Sequence, residues 1–398
     1  MIWTARPLPR LGVFVGGVFM AESAFYSVVP PLLPRIVAEV HMTTSEAGIL
    51  VAAYPAGVMF AALPAIALVN RRGVRTTTLI GLGLLTMATL AFGWSSSAAV
   101  LDLARLVQGI GGAVAWAAAL AWLISEAPAA RRGTVIGGAV GAALLGMVIG
   151  PVIGAAATWI GRAFVFSGIA VVLVAMAALV PASPHGATDQ RSPMRAVARL
   201  MRVRGAMIGT VLIGVIGVIN GTLFSLAPLL IARHFGSAGS IATVFMASYL
   251  LASFWNVVLG RVADHLGKVI PLAAGFALGA VVLPFLPSIG SLLALSVAAV
   301  VAGSAASGLW SPTAAMVADG ADASPPNQAV AVAVTNASWA AGGTIGAAAA
   351  SKIAEVAGFG VPFVLVALLC AAAVVVCLAT LRGSHSDAKM SLQGESRR

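Results

Sequence analysis

The stretch SVVPPLLPR at residues 27–35 returns as SLAPLLIAR at 225–233, an offset of 198 at which Ser27/Ser225, Pro30/Pro228, Leu32/Leu230 and Arg35/Arg233 are identical. A second correspondence lays RRG at 71–73 on DHLG at 264–267 through Gly73 and Gly267, offset 194, and the same offset carries Gly109 onto Gly303 and Trp116 onto Trp310. Self-similarity over half of a 398-residue chain marks a duplicated architecture.

Both copies lie in strongly apolar sequence. The chain is 60% hydrophobic with mean hydropathy +1.03, and only 9% of its residues are charged, against about 25% in a soluble domain. A surface that poor in charge is solvated by lipid. Crossing about 30 Å of hydrocarbon takes about 20 apolar residues per helix. Apolar runs punctuated by Gly, Pro and charge predict twelve spans: 11–34, 45–69, 76–95, 98–126, 133–160, 162–182, 205–232, 240–262, 268–287, 290–319, 327–355 and 359–381. The cationic start Arg6–Arg10 resembles a signal peptide, but the apolar stretch behind it continues to Pro34 and eleven more follow, so it reads as an uncleaved first span.

Charge orients the spans. With the N-terminus inside, 18 of the 23 Lys and Arg fall on the cytoplasmic side, four (Arg35, Arg162, Arg233 and Lys352) on the other, and Arg105 inside a span. That asymmetry predicts two cytoplasmic termini. It also assigns the net charge of +11 to membrane connectors rather than to a nucleic-acid partner. The one long polar linker, 183–204, separates a predicted six-helix bundle at 1–182 from a second at 205–382, with a cytoplasmic tail at 383–398. Six spans per half give both halves one orientation, related by an axis along the membrane normal. The expected fold class is an all-α polytopic membrane protein of twelve transmembrane helices in two pseudo-symmetric bundles. Arg outnumbers Lys 20 to 3, which fits a GC-rich bacterial genome, and a bacterial inner membrane is the expected location. Cys370 and Cys377 share one late span with no metal-ligand spacing and read as packing residues. No metal, no cofactor and a monomer are expected.

Glu22 stands apart from the other acids, eleven residues into the first span and so near the bilayer centre. Burial favours the neutral acid and a nearby cation favours the carboxylate; a glutamate between these influences suits loading and release of a proton. A structural ion pair is the other reading. At the offset of 198, Glu22 falls on Asn220 and Tyr26 on Phe224, each pair repeating an i,i+4 face, so the pairs are expected to confront each other across the pseudo-two-fold axis. Arg105, inside span 4, requires an anionic or carbonyl partner unless it snorkels to the interface. Arg105 and Gln108 fall on Ala299 and Ala302, so the titratable groups belong to the first half alone. Glu22 and Arg105 are the expected proton-coupling pair. The expected substrate cavity combines Tyr26, Gln108 and Trp116 with Asn220, Phe224, Trp255, Asn256, Trp310, Asn336 and Trp339.

Four local motifs resemble those of the major facilitator superfamily. Gly260-Arg-Val-Ala-Asp264-His-Leu-Gly267-Lys268 is similar to its cytoplasmic loop signature GxxxDRxGxR. The matching first-half loop keeps Arg71, Gly73 and Arg75 but has Ile66 for the glycine and Asn70 for the aspartate. Arg105-Leu-Val-Gln108-Gly109 looks like the family's RxxQG, and Gly137, Gly146, Gly150, Pro151 and Gly154 follow the span-5 pattern of its proton-driven exporters, with Ala155 for the last glycine. The resemblance is to the twelve-helix drug/proton antiporter branch. It implies the twelve-helix fold, a charged latch at the two loops and close helix packing along span 5. The function so implied is secondary active transport, with a proton gradient driving export of a small amphipathic or cationic compound. Proton-coupled uptake of a nutrient and lipid flipping are the alternatives on the same fold. No GxxxxGK[ST] loop is present, so no nucleotide drive is expected, and no nucleophile–base pair suggests an enzyme.

Overall fold

The computed structural model describes residues 8–127, 132–181, 193–234, 236–321 and 325–395. The N-terminal Arg6, Arg131, the linker boundary at 183 and the linker cation Arg191 lie outside them. The described chain is helical throughout: α1 Leu8–Ser27, α2 Val29–Val40, α3 Thr44–Trp94, α4 Ala98–Glu126, α5 Arg132–Ile160, α6 Arg162–Ala178, α7 Pro193–Leu200, α8 Arg204–Arg233, α9 Ala238–Leu266, α10 Val269–Val282, α11 Leu292–Gly308, α12 Trp310–Asp319, α13 Pro325–Ala357 and α14 Gly360–Glu395.

These elements correspond to the twelve expected spans once three joints are recognised. The first span is α1 and α2 together, bent by 43° at Val28. Pro30 and Pro31 open α2 and cannot donate to the preceding turn, so the ladder breaks there. Pro228, a lone proline in α8, leaves that helix continuous. Spans 2 and 3 run together as α3 and part at Gly73, whose φ of 76° and ψ of 165° are not helical. Span 10 is α11 and α12, joined at Leu309. By length and composition eight described helices can cross a membrane, nine if α1 and α2 count as one span; α6, with 17 residues, is shorter. Two expectations shift. The first span reaches Val40 rather than 34, and α14 continues to Glu395, so the tail after 383 is helical as far as it is described.

Glycine sets the packing inside each half. On α5, Gly146 lies against the Met20 carbonyl, Gly150 against Ser27 Oγ and the Ala24 carbonyl, and Gly154 against the Val28 carbonyl, so the span-5 glycines seat α5 on α1 and α2. Gly137 faces open space and takes no part. The second half repeats this between spans 7 and 11: Gly217 and Gly221 of α8 meet Trp339 and Gly343, and Gly342 and Gly346 of α13 meet Gly214 and Val218. Spans 2 and 4 close in the same way, Gly109 against the Tyr54 carbonyl, while the equivalent Gly303 sits beside Ser248. Small residues that let backbones approach are the main means of helix association in lipid. Cys370 and Cys377 are buried, free thiols in α14.

Gly150→Leu should destabilise the protein by at least about 1–3 kcal/mol, because its side chain would collide with Ser27 and Ala24, whereas Gly137→Leu should leave stability unchanged. Thermal unfolding of the purified variants in detergent compares the two; equal behaviour would refute this account of the motif.

Candidate functional site

Between the halves lies a cavity of about 1070 Å³. Its deep end is aromatic: Tyr26 stacks on Phe224 at 4.7 Å and meets Trp339 edge-on at 4.8 Å. At the other end the lining includes Asn70, Val74, Gly260, Arg261 and Asp264, of which Arg261 and Asp264 are exposed. The cavity therefore opens on the face that carries the Gly73 and Gly267 loops. The opposite end is sealed by contacts between the halves. Glu355 of α13 accepts from Ser45 N at the start of α3 at 2.7 Å, a side chain at Gly48 would collide with Ser351, and Trp159 lies beside Gly239.

Glu22 is on the cavity wall. Tyr54 Oη donates to its Oε1 at 3.0 Å and to its backbone carbonyl at 3.1 Å, and Ser23 Oγ donates to Oε2 at 3.3 Å. No salt bridge to Glu22 occurs among the described residues. Gly112 leaves room for this carboxylate, since a β-carbon there would stand 3.0 Å from Glu22 Cγ.

Arg105 is 2% exposed, which disposes of a snorkelling position. Its Nη1 donates to the Phe25 carbonyl at 2.8 Å and to Gln108 Oε1 at 2.9 Å, and its guanidinium lies 4.5 Å from the centre of the Tyr54 ring. The partners are a carbonyl and an amide. Tyr54 stands between the two ionisable groups, its face on Arg105 and its hydroxyl on Glu22. In the second half, where Ala299 replaces Arg105, a void of about 20 Å³ is lined by Leu223, Tyr249, Ala299 and Gly303 among others.

Of the residues expected to form the cavity, Tyr26, Trp116, Asn220, Phe224, Asn256, Trp310, Asn336 and Trp339 line it. Gln108 does not. It is fully buried behind the wall, where its amide bonds Arg105 and reaches Thr89 at 3.4 Å. Trp255 is also outside, 37% exposed and packed on Phe254, because its neighbour Asn256 takes the inward phase of α9. Asn256 itself serves the joint of span 10: its Nδ2 donates to the Ser307 carbonyl at 3.1 Å and its Oδ1 accepts from Ser311 N at 3.0 Å. Asn220 Oδ1 accepts from Ser307 Oγ at 3.3 Å. Two buried polar atoms of lining residues, Trp116 Nε1 and Tyr249 Oη, have no hydrogen-bond partner among the described residues.

At the loops, Gly267 and Gly73 both take positive φ, 81° and 76°, the conformation that glycine alone adopts freely. Lys268 pairs with Asp319 at the end of α12, while Arg71 and Arg75 are exposed. The four cations assigned to the far side all have partners: Arg35 bonds Glu39 and the Thr158 carbonyl, Arg162 the Ser95 carbonyl, Lys352 pairs with Glu355, and Arg233 lies on the Phe359 ring.

Sequence reasoning missed Tyr54 and Tyr249. The signal was present: the chain has three tyrosines, and Tyr54 and Tyr249 stand 195 apart, between the two repeat offsets.

The family model described as Major Facilitator Superfamily matches residues 15–229 and again 209–396. The chain belongs to that superfamily. Membership makes it a multi-pass membrane protein. Among similar curated proteins is an uncharacterized MFS-type transporter, Rv1250, of Mycobacterium tuberculosis, 33% identical over 185 residues, or 45% of this chain and 32% of that one. Another is the MFS-type transporter ppzB of Metarhizium rileyi, 30% identical over 143 residues, 34% of this chain and 29% of that one. The chain thus matches about a third of the length of these relatives. Among solved structures, the nucleoside transporter NupG (D323A mutant) superposes with a TM-score of 0.74 at 12% identity over 93% of this chain and 99% of its own. A bacterial homolog of the human lysosomal transporter Spinster gives 0.69 at 13% identity over 94% and 96%. At such identities the likeness is one of fold.

Arg105→Met should cost about 1–3 kcal/mol by leaving the buried Phe25 carbonyl and Gln108 without their donor. Thermal unfolding checks it; unchanged stability would show that Arg105 does not hold these groups.

Proposed function

We propose that the chain is a proton-coupled antiporter that exports a small amphipathic or cationic compound across a bacterial inner membrane, acting as a monomer. The observation that carries this reading is Glu22: a carboxylate on the wall of the inter-half cavity, held by Tyr54 and Ser23 and free of any salt bridge among the described residues. An ionisable group so placed is a functional hypothesis by default. A carboxylate without a fixed cation can be neutralised by either of two occupants, a proton or a cationic group of the substrate. Charge asymmetry orients the open end of the cavity to the cytoplasm, so in this state the compound reaches Glu22 from inside. The aromatic wall of Tyr26, Phe224, Trp116, Trp310 and Trp339 suits an amphipathic body or a cation over ring faces. A proton arriving from outside then displaces the compound, and the neutral site lets the halves rock about it. The membrane potential adds about 2.3 kcal/mol per charge per 100 mV. Resemblance of the span-5 glycines to proton-driven exporters favours the outward direction.

Inside-out vesicles energised by respiration test the proposal. Addition of a transported compound should collapse the pH gradient reported by a dye, and Glu22→Gln should abolish that response while the protein remains in the membrane. Tyr54→Phe, which removes a hydrogen bond from Glu22, should weaken coupling without abolishing it. A Glu22→Gln protein that still dissipates the gradient on substrate addition would end the case for Glu22 as the coupling group.

A further inference from the structure

Helix α7 carries its charge on one side. Arg195, Arg199 and Arg202 follow at intervals of four and three, which places them on one helical face continued into the next turn, and all three are exposed. The opposite face is apolar. Ala196, Val197 and Leu200 pack into a small cluster with Ala206 of α8, Val317 of α12 and Val330 of α13, and with Ile66 of α3.

The three arginines have no salt bridge among the described residues, and no Asp or Glu occurs between positions 190 and 263. Their counter-charge must therefore come from outside this segment. Location says from where. The apolar cluster ties α7 to the ends of second-half spans, and α8 begins at Arg204, so the helix sits where the chain enters the membrane. Exposed cations on a short helix just ahead of a span stand within reach of lipid headgroups. Cations beside an anionic leaflet are attracted to it, each contributing about fivefold in binding.

We propose that the Arg195–Arg199–Arg202 face of α7 is a binding site for an anionic phospholipid headgroup of the leaflet on the open side of the cavity. The site is separate from the transport cavity and does not depend on which compound is carried. The purified full-length protein in neutral detergent can be titrated with short-chain phosphatidylglycerol and, separately, phosphatidylcholine, with bound lipid counted by native mass spectrometry. The wild type should prefer phosphatidylglycerol by at least about tenfold, and R195Q/R199Q/R202Q should lose the preference. Should the triple variant fail to fold, Arg199→Lys should retain the preference and Arg199→Glu reduce it. The proposal is overturned if the wild type does not discriminate between the lipids, or if the triple or the Arg199→Glu variant discriminates as the wild type does. Displacement by soluble glycerol phosphate at matching concentration would also overturn it, by showing a phosphate site rather than a membrane one.

Discussion

Two helices in hydrocarbon gain nothing by hiding apolar surface from one another, because lipid is as apolar as leucine. What holds them is close approach and hydrogen bonds between helices, and close approach needs small residues, here mostly glycine. The helix α5 touches α1 through Gly146 and Gly150 and the α1–α2 joint through Gly154, and the backbones of α8 and α13 touch through Gly217, Gly221, Gly342 and Gly346. Each pair fixes the wall of one half, and the cavity is the space the two walls leave between them. Glu22 and Tyr26 lie on α1, the helix that the span-5 glycines clamp. Asn220 and Phe224 lie on α8, the helix clamped from α13.

Symmetry supplies the frame, and its breakage supplies the chemistry. The first half fills the space between its helices with Arg105, which spends its hydrogen bonds on the Phe25 carbonyl and Gln108 and lends its charge to the face of Tyr54. The second half puts Ala299 there and leaves a small void beside Tyr249. A permanent buried cation next to one tyrosine, and none next to its counterpart, makes the two walls electrostatically different although their folds repeat. Tyr54 links the buried arginine to the cavity carboxylate without an ion pair, which leaves Glu22 without a paired cation among the described residues.

Much of this was legible in the chain. Hydropathy placed the spans because a helix is the economical way to satisfy a backbone in lipid, and the repeat offsets placed Tyr26 opposite Phe224, where the rings stack at 4.7 Å. Two residues expected at the cavity were misplaced in the same way. Trp255 and Gln108 were expected at the cavity because they are large or polar inside spans; both lie on helices that line it, turned elsewhere. A span that is apolar all round carries no periodic signal to fix its rotation, so facing depends on neighbours. Asn256 faces inward because the joint between α11 and α12 leaves backbone groups for its amide to satisfy.

The sequence by itself determined the solvent, the helical class and order of the elements, the duplication, and the presence of a single carboxylate deep in the first span, since each follows from composition and spacing along one dimension. Only the tertiary structure decided that Arg105 turns to a carbonyl rather than to Glu22, that Tyr54 stands between them, and that the cavity opens on the side of the Gly73 and Gly267 loops. Those outcomes depend on which helix faces meet, and in a membrane that is settled by glycine contacts and buried hydrogen bonds between segments far apart in the chain.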